Sequence, residues 1–184
     1  STSSVHYRQI ADSFLIEIKA ETLLNSTLSG LLLFLQDTKT IHLWLDNVVE
    51  SRIIKTPNAT TNVMKTELAG FWPITNRVMI IKSTYWQNND LSVEIHSENA
   101  ESTEAINTKV ILIDVISAHW LIKPLTENEV VIRYQYIADV KGNIPHWFAN
   151  NMALSSTWKS LENLRKELPL SKWQLNSLPN IKEL

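Results

Sequence analysis

Two long alternating stretches, Lys109–Ile122 and Glu129–Ala138, stand near the end of the chain. They are followed by a turn, Asp139-Val-Lys-Gly-Asn143, and by a helix that opens at Pro145 and closes the sequence. Alternation at period two marks strands with one buried face, and proline is well suited to the first position of a helix. This order narrows the possible folds. A terminal amphipathic helix laid on an antiparallel sheet can cover a cavity as well as complete a core. The chain therefore reads as a container before it reads as a catalyst.

At 184 residues the chain is expected to form one domain, 1–184, with its core over 13–168 and a loosely packed extension over 169–184. A formal charge of -2 gives no electrostatic case for nucleic acid, which needs a basic footprint. No apolar run approaches the about 18 residues that span a bilayer, so a soluble protein is expected. The first residues, Ser1-Thr-Ser-Ser-Val5, lack the charged and apolar regions of a signal peptide, and the missing Met suggests a processed or trimmed chain. The compartment stays open: cytoplasmic, or extracytoplasmic if a signal segment was removed. With no cysteine, disulfides, thiolate metal sites and thiol nucleophiles are excluded together. Seven tryptophans against three glycines leave no room for a glycine-rich phosphate loop and permit an aromatic-lined pocket.

Along the chain, Phe14, Ile16, Ile18 and Ala20 share one face of a half-buried strand. Ser26 is placed to cap a short apolar helix from Leu28 to Phe34, and Ile41–Leu45 adds one more helical turn. Strands then follow at Val48–Ile54, Thr61–Ala69, Arg77–Gln87 and Leu91–Ser97, and a polar loop at Glu98–Asn107. With the two long strands and the helix ending by Pro169, the order is α+β, the helices lying on one face of an antiparallel sheet. The other face of such a sheet is free to stay wet, which suits Glu17, Lys19, Lys82, Glu94 and Asp114.

The chain carries no G-x-S-x-G, G-x-G-x-x-G, Walker loop or H-E-x-x-H. Its five histidines lie in separate elements without metal-ligand spacing, so no metal and no cofactor is expected. Several polar residues do fall on apolar faces. In Lys109–Ile122 the odd positions Ile111, Ile113, Val115, Ser117, His119 and Leu121 read as the inner face. In Glu129–Ala138 the inner face is Val130, Ile132, Tyr134, Tyr136 and Ala138. Ser117, His119, Tyr134 and Tyr136 would bring hydrogen-bonding groups into an oily interior, which is the make-up of a small-molecule pocket. Taken singly, each is better expected to reach a backbone partner or water at the sheet margin. Glu67 shares a face with Lys65, consistent with a solvated edge, and Arg77 is placed to anchor a loop carboxylate.

Three stretches together resemble the START domain, the StAR-related lipid-transfer family. Phe71-Trp-Pro-Ile-Thr-Asn-Arg77-Val is similar to its tryptophan–proline motif with the following arginine. Trp120-Leu-Ile-Lys-Pro124 is similar to its penultimate strand ending. Tyr136-Ile-Ala-Asp-Val-Lys-Gly-Asn-Ile-Pro-His-Trp-Phe-Ala-Asn150, with Leu161-Glu-Asn-Leu-Arg165, is similar to its D-x-x-G-x-I-P-x-W and terminal helix. The order and spacing agree from about Phe14 to Leu168, as in a single-domain bacterial-type member. The resemblance implies a helix-grip fold: a curved antiparallel sheet around a long C-terminal helix, with a tunnel between them for one lipid or sterol. Two positions depart from it. The N-terminus is short, without the family's first helix. Glu67 matches the acidic position of cholesterol-binding members, but its basic partner's position is Ser83, so no acid–base pair and no sterol assignment follows.

The implied activity is carriage or sensing of a hydrophobic ligand, a lipid, with transient contact at a membrane surface. Its expected lining is Glu67, Ile81, Ser83, Val93, Ile95, Val115, Ser117, His119, Ile132, Tyr134, Tyr136, Phe148, Met152, Leu161 and Leu164. No catalytic residue is expected. The alternative is a cavity enzyme of the same fold, a cyclase, an aromatase or a lipid-ester hydrolase, using His119 with Tyr134 as its acid–base pair. Trp147, Leu154, Trp158, Leu161 and Leu168 form one apolar stripe, and Phe148 with Met152 another. Ser155-Ser-Thr157 between them predicts a kink, with Ser156 capping a second helix and giving the lid a hinge.

Overall fold

The two long strands take the centre of the sheet, because each buries one apolar face and needs a neighbour on both edges. The computed structural model describes residues 3–70, 73–102 and 107–184. Among these, β1 (Ser3–Gln9), β2 (Ile16–Asn25), β3 (Val48–Asn58), β4 (Thr61–Leu68), β5 (Arg77–Gln87), β6 (Val93–Asn99), β8 (Asp114–Thr126) and β9 (Glu129–Asp139) form one antiparallel sheet. Their order is β1-β2-β9-β8-β6-β5-β4-β3, and β7 (Ile111–Leu112) adds a short parallel pairing to β5. Helix α1 (Leu28–Gln36) and a 3-10 turn at Ile41–Leu43 follow β2, and helix α2 (His146–Glu167) follows β9.

The α+β order holds, with differences that have physical causes. Residues 3–9, which carry no expected strand, pair with β2 as an edge strand, completing hydrogen bonds that β2 would otherwise expose. In β2 the alternating set Ile16, Ile18, Ala20 and Leu24 is buried, whereas Phe14 stands before the strand and is 70% exposed. The cap of α1 is Thr27, not Ser26: its side chain accepts from the Gly30 N–H, while the Ser26 hydroxyl donates to the Thr27 carbonyl. β3 runs on through Pro57, which an edge strand tolerates because one side of its backbone has no partner to lose. Phe71 and Trp72 of the tryptophan–proline motif, and positions 103–106 of the polar loop, lie outside the described residues.

α2 is continuous, and the expected break at Ser155–Thr157 does not occur. The Thr157 hydroxyl donates to the Ala153 carbonyl one turn back at 2.7 Å, so it is satisfied within the helix rather than competing with it. The stripe that faces the sheet is Ala149, Met152, Ala153, Ser156, Thr157, Ser160, Leu161 and Leu164, at three- and four-residue spacing. Three hydroxyls in that stripe disguise its periodicity. Trp147 and Trp158, assigned to the apolar stripe, are 68% and 42% exposed.

The extension is not loose. Ile181 is buried in the main core with α1, and Glu183 receives the Leu28 and Ser29 N–H groups, both at 2.9 Å. These are donors that the first turn of a helix leaves unpaired, so the end of the chain caps a helix 155 residues earlier in sequence. Trp173 Nε1 also donates to Asp37 at the other end of α1. The outer sheet face carries ion pairs such as Arg133–Glu21, as a wet face should. Part of it is dry, where Val63, Val78 and Ile80 pack beneath Ile54, Ala100 and Val110.

Candidate functional site

A cavity of about 410 Å³ lies between the inner face of the sheet and α2, closed at one end by α1 and the Ile41–Leu45 turn. Its walls come from every second residue of the central strands. β4 offers Asn62, Met64, Thr66 and Leu68, and β5 offers Arg77, Met79, Ile81, Ser83 and Tyr85. β6 offers Ile95 and Ser97, and β9 offers Tyr134, Tyr136 and Ala138. Strand geometry alone produces this, since successive side chains point to opposite faces.

β8 breaks the rule, and the break decides which of its residues reach the interior. Val115 pairs with Ala138, but Ser117 pairs with Ile137, so Ile116 is an extra residue in a β-bulge. Before the bulge Ile113 and Val115 face the cavity; beyond it Ala118 and Trp120 do. A one-residue slip reverses every later side chain. Ser117 and His119, expected on the inner face, therefore lie on the outer one. There His119 Nε2 meets Glu94 Oε2 at 2.7 Å, and Asn88 donates to the other oxygen of Glu94 at 2.8 Å. The Asn88 and His119 hydrogen bonds hold the Glu94 carboxyl below its ordinary pKa.

Tyr134 points into the cavity, stacked on Trp120 with ring centroids 4.5 Å apart. His119 and Tyr134 thus sit on opposite faces, and the acid–base pair considered above is not assembled. Burial, with the neighbouring Tyr136 adding to it, pushes the Tyr134 hydroxyl far above its ordinary pKa, so it stays a neutral donor. Burial raises Tyr136 as well, partly offset by its hydrogen bond to Thr157 at 2.8 Å.

The other expected lining residues divide by position. Ile81, Ser83, Ile95, Val115, Tyr136, Met152, Leu161 and Leu164 face the cavity. Glu67 does not. It lies on the alternate face of β4 from Thr66 and Leu68, and accepts from Asn76 Nδ2 at 2.8 Å. Val93 and Ile132 are fully buried in the packed core beyond the cavity end, where α1 covers the sheet. Phe148 sits off the inward stripe of α2, edge-on to Trp147.

Arg77 lines the cavity but grips no carboxylate among the described residues. Its Nε donates to the Val140 carbonyl at 3.1 Å, Nη2 to Lys141 at 2.9 Å, and Nη1 to Thr75. It joins the 73–76 loop to the turn before α2, and burial lowers its pKa. Gly142, at φ +84°, lies so close that a Cβ would stand 2.6 Å from Arg77 Nη2. Sequence reading missed Trp44, Asn62, Ala118, Ala149, Ala153 and Ser160 as wall residues. The helix residues could have been found by following small side chains at helical spacing rather than large apolar ones. Ala118 could not, because nothing local announces the bulge.

No family model matches the chain. It is 25% identical over 132 residues to an uncharacterized protein of Pseudomonas aeruginosa, and spans 64% of that protein's length. Among solved structures, human STARD10 superposes with a TM-score of 0.81 at 19% identity, covering 92% of this chain and 70% of that one. The STAR-related lipid transfer protein fragment from Xanthomonas axonopodis gives 0.79 at 23% identity, covering 91% and 94%. The chain has the START helix-grip fold. A more distant relative in fold is the Zhui aromatase/cyclase from Streptomyces, with a TM-score of 0.55 at 10% identity over 89% and 94%. The START fold agrees with the likeness read from the three motifs, and its terminal helix is α2. No helix among the described residues is long and apolar enough to cross a membrane.

Proposed function

We propose that this protein binds one hydrophobic ligand, a lipid, between its sheet and α2, and acts as a carrier or sensor without transforming it. The observation that carries this reading is the cavity itself: about 410 Å³, walled by aliphatic and aromatic side chains, with a few hydroxyls among them. Small-molecule pockets have this composition and span roughly 300–1,000 Å³. Apolar burial would supply the affinity at about 25 cal/mol per Å². The START fold supports the same class of ligand, since the Xanthomonas protein that shares it is named a STAR-related lipid transfer protein. We assign ligand contact to Ile81, Ser83, Ile95, Val115, Tyr134, Tyr136, Met152, Leu161 and Leu164, together with Ala118, Trp120 and Ala153.

Loading from a membrane surface fits the same end of α2. Phe14 stacks on His146 at 4.4 Å at the start of α2, Phe14 and Trp147 are 70% and 68% exposed, and the cavity-lining Ala149 follows two residues after Trp147. Aromatic side chains favour the boundary between water and lipid. Native mass spectrometry of the freshly purified protein tests the main reading. A bound mass that denaturation releases as a lipid is expected. A ligand-free protein that takes up no fatty alcohol or fatty acid from solution would overturn it.

A further inference from the structure

The cavity is apolar along most of its length, but one line of side chains across it is polar. The pairings Asn62↔Ser83, Ser83↔Ser97, Ser97↔Ala118 and Ala118↔Tyr136 place these residues side by side across β4, β5, β6, β8 and β9. At one end Asn62 reaches Gln36 of α1 at 3.4 Å, and at the other Tyr136 reaches Thr157 of α2. The adjacent line contains Tyr134.

Counting donors shows which of these groups are spent. Thr157 gives its single hydroxyl hydrogen to Ala153, so Tyr136 must donate to Thr157. Ser83 and Ser97 share one hydrogen bond at 2.8 Å, which leaves one hydroxyl hydrogen between them. The Tyr134 hydroxyl, half-buried and facing the cavity, has no hydrogen-bond partner among the described residues. Buried polar groups in native proteins are paired, and leaving one unpaired in an oily site is costly.

Charge is handled differently. Asp46 and Arg77 are the charged residues among the described lining. Asp46 is paired with Lys159 at 2.7 Å, and Arg77 is spread over three backbone carbonyls. Arg77 also stands six residues along β5 from Ser83, ~20 Å at strand rise. A charged head group placed at the polar line would have no counter-charge, which burial of a charge requires.

We infer that the cavity selects an uncharged lipid whose hydroxyl or carbonyl oxygen is received deep inside by Tyr134 and the Ser83–Ser97 pair. This rests on the lipid-binding reading above. It adds that these three hydroxyls discriminate between ligands of equal chain length.

The test uses the full chain with dodecanol and dodecanoate at pH 8. Binding is followed by the fluorescence of the tryptophans, two of which, Trp44 and Trp120, line the cavity. The native protein should bind dodecanol at least about tenfold more tightly than dodecanoate, the scale of one buried hydrogen bond or unpaired charge. Tyr134→Phe should weaken dodecanol about tenfold while changing dodecanoate by less than about twofold, with an unchanged melting temperature. Ser83→Ala combined with Ser97→Ala should act in the same direction. Dodecanol affinity untouched by both variants, or dodecanoate bound as tightly as dodecanol, would overturn the inference while leaving lipid binding intact. A separate outcome touches the underlying reading. If Ala153→Phe, which adds a ring to the helix side of the cavity, leaves dodecanol binding undiminished, the cavity is not the binding site and both proposals fall.

Discussion

The two halves of α2 do different work although they form one unbroken helix. The C-terminal half is core: Ser160, Leu161 and Leu164 are its buried residues, and Leu168 just beyond it is fully buried. It is also tied by polar contacts, with Ser160 receiving the Asp46 N–H at 2.9 Å and Lys159 paired to Asp46. The N-terminal half has no buried residue. It meets the sheet across the cavity through Ala149, Met152 and Ala153, and presents Trp147 to solvent. A helix can thus be anchored at one end and serve as a cover at the other. Opening at that end would need no kink, since the covering half has no buried residue to expose.

Proline in the middle of α2 should separate the halves most strongly. Thr157→Pro removes an interior helix hydrogen bond and the hydroxyl that holds Tyr136, and should cost about 3 kcal/mol or more. A near-neutral result in urea unfolding would mean that the helix is interrupted in solution and the comparison collapses. Leu164→Ala, in the anchored half, should cost about 3 kcal/mol, within the usual range for a fully enclosed leucine. Calorimetry at matched scan rates measures it; a loss below about 1 kcal/mol would show that the C-terminal half is not core.

Glu183→Ala should cost about 1 kcal/mol, the scale of a lost helix cap, by freeing the Leu28 and Ser29 N–H groups. Hydrogen exchange should then rise first at those two amides. The Asp37–Trp173 contact should respond to acid. Burial alone would raise the Asp37 pKa, but the Trp173 indole N–H, the Lys39 amide, Thr40 and Lys172 together hold it below its ordinary value. A carboxyl depressed in the folded state stabilises fully above its unfolded pKa and loses that contribution as pH falls through the folded one. The Trp173 indole resonance should therefore shift below the usual carboxylate range, and Asp37→Asn should abolish the shift. The smallest effect belongs to the covering half. Trp147→Ala should change stability by no more than about 0.5 kcal/mol, yet slow ligand uptake from lipid vesicles. A stability loss as large as that of Leu164→Ala would erase the distinction between the halves.

What the sequence determined by itself was whatever local periodicity and punctuation control. The bounds of β5, the start of α2 after Pro145, and the inward side of β9 with Tyr134 and Tyr136 all follow from alternation and from proline's fixed geometry. Four decisions were tertiary. The bulge at Ile116 turned His119 outward and Ala118 inward, because pairing with β9 rather than the composition of β8 sets the register. Thr157 stayed helical because Ala153 and Tyr136 satisfy its hydroxyl. Glu67 went to the outer face of β4, where the Asn76 amide donates to it. The extension docked because its capping carboxylate and its buried Ile181 find α1, far away in sequence. Periodicity is a property of neighbours along the chain. Register, hydroxyl pairing and long-range capping depend on neighbours in space, and those exist only once the sheet has closed around its helix.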